Sequence, residues 1–71
     1  MKKYLIVIER TESGYSTYSP DLPGCESTGK SREEAKRNMR KAIEFHVEGS
    51  RQEGYPVPEP QMTSSYVELP A

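Results

Sequence analysis

At 71 residues the chain makes one domain, and a hydrophobic fraction of 32% against 30% charged residues leaves it only a small core. A formal charge of -1 gives no overall pull toward nucleic acid or an anionic membrane, and no apolar run is long enough to cross a bilayer. Cys25 is the single cysteine, so a disulfide framework and a thiolate metal cluster are both excluded, and association with another chain is the remaining way to enlarge the buried area.

Tyr4-Leu5-Ile6-Val7-Ile8 is an unbroken run of β-formers and predicts a strand. Five apolar residues are too few for a secretion signal, so a cytoplasmic domain is expected. Tyr4, Ile6 and Ile8 point to one face, Leu5 and Val7 to the other. Both faces need cover, which predicts a central strand whose second face is buried by another subunit or a partner. Thr11 to Gly14 reads as a turn, Tyr15 to Ser19 as a second, antiparallel strand. Two prolines and a glycine in Ser19-Pro20-Asp21-Leu22-Pro23-Gly24 then fix a rigid connection, and Cys25 to Gly29 follows as a short third strand.

Ser31-Arg32-Glu33-Glu34 has the form of a capping box, with Ser31 accepting from the Glu34 N–H and the Glu34 side chain reaching back to Ser31. Ala35, Met39, Ala42, Ile43, His46 and Val47 recur at helical spacing behind it. Gly49 and Gly54 are competing stops, and the later one predicts a helix ending near Gln52. Tyr55-Pro56-Val57-Pro58-Glu59-Pro60 is an extended crossover, and Tyr66-Val67-Glu68-Leu69 reads as a last strand beside the first. The expected architecture is α+β, a single domain over 1–71 with β-β-β-α-β order, sheet order 3-2-1-4 and the helix on one face.

No residue pattern carries catalysis. His46, the one histidine, lies on or beside the buried helical stripe with no nucleophile or orienting partner at a motif spacing, and reads as structural. Cys25 reads as a small buried hydrophobe. Glu9, Asp21 and Glu26 sit at strand ends and in the loop, but a metal-dependent nuclease needs converging carboxylates and their spacing marks no ligand set. No metal or cofactor is expected. Lys30, Arg32, Lys36, Arg37, Arg40 and Lys41 make the first half of the helix basic, yet Glu33–Arg37 and Arg40–Glu44 at i,i+4 give the look of an ordinary solvated face. Without an aromatic stacking platform, direct RNA binding is not expected.

The segments Tyr4 to Ile8, Gly14-Tyr15-Ser16-Thr17-Tyr18-Ser19-Pro20-Asp21-Leu22-Pro23-Gly24-Cys25, Ser27 to Ala35, Ala42 to Gly49 and Gly54 to Pro60 together resemble the HicB antitoxin family. The resemblance implies a partial ribonuclease H-like fold without its catalytic carboxylates. It also implies a non-enzymatic role: binding a HicA-like toxin, a small mRNA-cleaving protein, and covering its active site or RNA surface. Such antitoxins usually form dimers or higher oligomers, so a dimer or tetramer is expected. Tyr18, Pro20, Asp21, Leu22, Pro23 and Glu26 are the expected contact residues. Asp21, Glu26, Glu44 and Glu48 are suited to meet a basic RNA-binding surface. Many relatives add a C-terminal DNA-binding segment. The sequence runs to Ala71 without residues for one, so direct DNA binding by this chain is not expected. The alternative is a stand-alone homo-oligomer with a structural role and no cognate toxin.

Overall fold

Strands β1 (Val7–Arg10), β2 (Tyr15–Tyr18) and β3 (Glu26–Gly29) precede helix α1 (Arg32–Gln52) in a computed structural model that describes residues 1–71. The strands form one antiparallel sheet in the order β1-β2-β3, with Val7 opposite Tyr18 and Tyr18 opposite Glu26. The α+β class and the β-β-β-α order agree with expectation.

β1 starts later than its apolar run because of the proline loop. Continuing the Val7–Tyr18 register sets Ile6 opposite Ser19 and Leu5 opposite Pro20. Proline has no N–H to give, so the ladder cannot continue. The Ser19 hydroxyl replaces it, donating to the Leu5 carbonyl at 2.9 Å. Gly14 closes the β1–β2 turn by accepting from the Thr11 N–H at 2.8 Å.

Ser31 caps α1 in an extended conformation and accepts from the Glu34 N–H at 3.0 Å. The reciprocal bond lands one residue earlier than the capping-box pattern predicts: the Glu34 carboxylate accepts from the Lys30 N–H at 2.8 Å. Lys30 follows the last ladder residue of β3, so its N–H has no strand acceptor and the glutamate supplies one. At the other end the Gly54 N–H bonds the Arg51 carbonyl at 3.1 Å and the Tyr55 N–H bonds the Ser50 carbonyl at 2.8 Å. With Gly54 at φ 76° this is a Schellman close, and it explains why the helix runs through Gly49 and stops at Gln52.

The helix covers one sheet face, packing chiefly against β3. Leu22, Cys25 and Met39 are buried beneath it, with Tyr4, Ile6, Ala42 and Ile43 packed around them. Asn38 ties helix to sheet by donating to the Thr28 carbonyl at 2.8 Å. The expected i,i+4 ion pairs on the outer helix face are not formed; the one ion pair is Lys2–Glu59 at 3.0 Å between exposed side chains, a contact of small energetic weight.

The crossover after α1 is held at three points. Lys2 meets Glu59, the Tyr4 hydroxyl donates to the Pro58 carbonyl at 2.6 Å, and Asp21 holds Gln61 and Met62. Beyond these the chain departs from expectation. Tyr66 to Leu69 does not join the sheet, and Tyr66, Val67 and Leu69 stay 98%, 83% and 82% exposed. β1 is therefore an edge strand, not the centre of a four-stranded sheet. No helix is long and apolar enough to cross a membrane.

Candidate partner-binding surface

The pleat sorts the strand residues into two sets. Ile8, Thr17, Ser27 and Gly29 face the helix. Val7, Glu9, Ser16, Tyr18, Glu26 and Thr28 lie on the open face, as the register, the burial of Thr17 beside exposed Tyr18 and the alternating burial of β3 require. This face presents a tyrosine and a valine flanked by two carboxylates, and none of its strand positions carries a lysine or arginine. Such a surface offers an apolar centre with an acidic border to a basic partner.

The loop beside it is two consecutive turns. The Leu22 N–H bonds the Ser19 carbonyl and the Cys25 N–H bonds the Leu22 carbonyl, each at 3.1 Å. Pro20 and Pro23 each occupy the second position of a turn, where their fixed φ fits, and Gly24 at φ 83° occupies the left-handed third position of the second.

The expected contact residues divide into distinct roles. Tyr18 and Glu26 are exposed neighbours on the open face, and Pro23 is exposed at the loop tip. Pro20 is half-buried. Leu22 is fully buried and belongs to the core, so its side chain is not available to a partner. Asp21 faces the chain itself: one carboxylate oxygen accepts from the N–H groups of Gln61 and Met62 at 3.0 and 3.1 Å. Sequence spacing gave no signal for this contact, since its partners lie 40 and 41 residues away.

Asp21→Ala is expected to cost about 1–2 kcal/mol in urea unfolding, a discounted value for half-exposed charge-assisted bonds. It should also remove hydrogen-exchange protection from the Gln61 and Met62 amides. Asp21→Asn keeps a carbonyl oxygen that can accept both bonds and should lose less than half as much.

Cys25 is buried, and desolvation raises its thiol above its ordinary pKa. It is therefore a neutral thiol, the opposite of what a nucleophile needs. Above the unfolded-state value of about 8.5 the unfolded chain gives up this proton while the folded chain keeps it, so stability falls as pH rises past that point. Under reducing conditions wild type should lose stability between pH 8 and 9.5 more steeply than Cys25→Ala.

Cys25, Glu26, Phe45, His46, Glu53 and Tyr55 border a groove of about 530 Å³ at the C-terminal half of the helix. Phe45, which the helical stripe leaves out, is 83% exposed there. Glu9 on β1 and Glu26 on β3 stand two strands apart and two residues out of register, roughly 12 Å by strand spacing and rise, and Asp21 is engaged with backbone, so the three carboxylates do not converge. No cluster of three metal-ligating side chains occurs. Lys36, Arg37 and Arg40 line the exposed outer helix beside Glu33, on the far side from the open sheet face.

A three-stranded sheet covered by one helix on one side and left with an open acidic–aromatic face on the other defines a small α+β domain. The chain matches, over residues 4–71, the family described as the HicB-like antitoxin of bacterial toxin-antitoxin systems. It belongs to that family, which is one of antitoxins and not of enzymes. It is 37% identical over 67 residues to an uncharacterized 14.9 kDa protein of the rep-hol intergenic region of Haemophilus phage HP1, covering 94% of this chain and 50% of that protein. It is 54% identical over 41 residues to a UPF0150 protein of Helicobacter pylori strain J99, covering 58% of this chain and 57% of that one. The chain thus spans about half the length of these two relatives. A chain from a solved HicA3 and HicB3 toxin-antitoxin complex superposes with a TM-score of 0.74 at 33% identity, over 84% of this chain and 70% of that one.

Proposed function

We propose that the chain is the antitoxin of a toxin–antitoxin pair and neutralises a HicA-type mRNA-cleaving toxin by laying the open sheet face over its active site or RNA-binding surface. The observation that carries this reading is the face itself: Tyr18 on the central strand with Val7 beside it on β1, Glu9 and Glu26 at the borders, and no cation among its strand positions. A surface that grips RNA must be basic, and an acidic face with an apolar centre is its natural complement. Pro23 at the loop tip extends the contact. Membership of the antitoxin family and the likeness to a chain of a toxin-antitoxin complex support the same reading. The exposed Tyr66 to Leu69 segment favours a second reading, a homo-oligomer with a purely structural role.

Surface plasmon resonance against a HicA-type toxin separates the two. Association should slow as salt is raised, and Glu26→Lys should slow it by on the order of tenfold at low salt, since a reversed charge turns steering into repulsion. Absence of binding by wild type would leave the structural reading in place.

A further inference from the structure

The segment from Thr63 onward carries strand-forming residues but joins no sheet, and β1 is a sheet edge with no neighbour on its outer side. Tyr66, Val67 and Leu69 are among the most exposed large hydrophobics in the chain. Their residue types suit a strand. The radius of gyration, 13.9 Å, exceeds the roughly 11 Å of a compact chain of this length, and the longest dimension is 49 Å against 27 and 20 Å.

Its root is fixed. Pro58 and Glu59 are bound to Tyr4 and Lys2, and Asp21 grips Gln61 and Met62. From this anchor Ser64, Ser65 and Tyr66 pass along a groove of about 270 Å³ beside Leu5, Ile6, Val7 and Ile8. The chain thus reaches the free edge of its own sheet and leaves without pairing to it. On that edge Leu5 to Ile8 are apolar and only half-buried. An exposed apolar edge and an exposed apolar strand on one molecule, side by side, are complementary surfaces that a two-fold axis brings together twice.

We propose that two copies of this chain exchange their C-terminal segments, Tyr66 to Leu69 of each pairing with the β1 edge of the other. The exchange makes β1 a central strand in both copies and gives its unpaired backbone groups partners. The Asp21 clamp sets where each segment departs, so the anchor and the exchanged strand act as one device. A second copy is the favoured occupant because the donor segment and the acceptor edge are both present in one chain and adjacent. Val7 belongs to both this edge and the open face, but Tyr18 and Glu26 lie outside the exchange, so variants at Tyr66 and Val67 test this inference separately from variants at Tyr18 and Glu26, which test the toxin-binding reading.

The test is sedimentation equilibrium on the full chain together with Tyr66→Pro and Val67→Pro. Successive N–H groups along a strand point to opposite sides, so one of these two prolines must delete a bond to the acceptor edge. Both positions lie outside the core, and circular dichroism should show the helix unchanged. Wild type should sediment at twice the 8.1 kDa chain mass, and at least one proline variant should raise the dimer dissociation constant tenfold or more. In a mixture of isotope-labelled and unlabelled wild type, filtered NOEs should connect the Leu69 methyls to Leu5–Ile8 of the other copy. A monomeric wild type, a dimer indifferent to both prolines, or NOEs confined within one chain would each overturn the proposal.

Discussion

Leu22→Ala is expected to lower the unfolding free energy by about 3–4 kcal/mol, within the range for a fully buried leucine that leaves a cavity behind. Leu22 is 0% exposed and packs with Met39 and Cys25 under the helix. It is also the hinge of the loop, since its N–H closes the first turn and its carbonyl accepts the bond that closes the second. A domain of this length has about 4–10 kcal/mol in total, so the variant should be partly unfolded at 37 °C. Leu22→Met conserves most of the volume and should cost less than about 1.5 kcal/mol. Urea titrations of the three proteins decide it. A loss below 1 kcal/mol for alanine would show that Leu22 is not packed as described.

Gly29→Ala is expected to cost about 3 kcal/mol for a different reason. Gly29 ends β3 where the strand presses on the first turn of α1. A Cβ there would overlap the Ala35 backbone nitrogen and lie 2.7 Å from its Cα. Neither atom belongs to a flexible side chain, so strand and helix must separate, which places the cost at the upper end for overpacking. Gly49→Ala is the control. It lies inside α1 with nothing within 4 Å of the new methyl group, and alanine should stabilise by about 0.8 kcal/mol through helix propensity. Thermal unfolding should therefore move in opposite directions for two glycine-to-alanine changes 20 residues apart.

Local chemistry was legible in the sequence wherever both partners sit within a few residues. Ser31 announced the helix start, Gly54 its end, and the alternating prolines the absence of helix beyond. What escaped depends on residues far apart. The late start of β1 follows from Pro20 falling opposite Leu5, a fact of register and not of composition. Asp21 looked like a surface or ligand carboxylate because its backbone partners lie beyond the helix. Leu22 looked like part of a contact loop, yet it points inward while its neighbours Asp21 and Pro23 do not. The last strand was the largest departure: Tyr66-Val67-Glu68-Leu69 has strand chemistry, but β-propensity does not say which edge, or whose, will receive it. Of the expected contact residues, Tyr18 and Glu26 lie on one open face, and the register places Glu9 there as well.

The most direct measurement is cleavage of mRNA by a HicA-type toxin, titrated with this chain and with a Tyr18→Ala/Glu26→Lys double variant of unchanged melting temperature. Wild type should abolish cleavage near stoichiometric addition, and the double variant should need at least about tenfold more, the effect of losing an aromatic contact and reversing a border charge. Cleavage that continues in excess wild type, or that the double variant stops equally well, would contradict the assignment of the open sheet face as the toxin-binding surface.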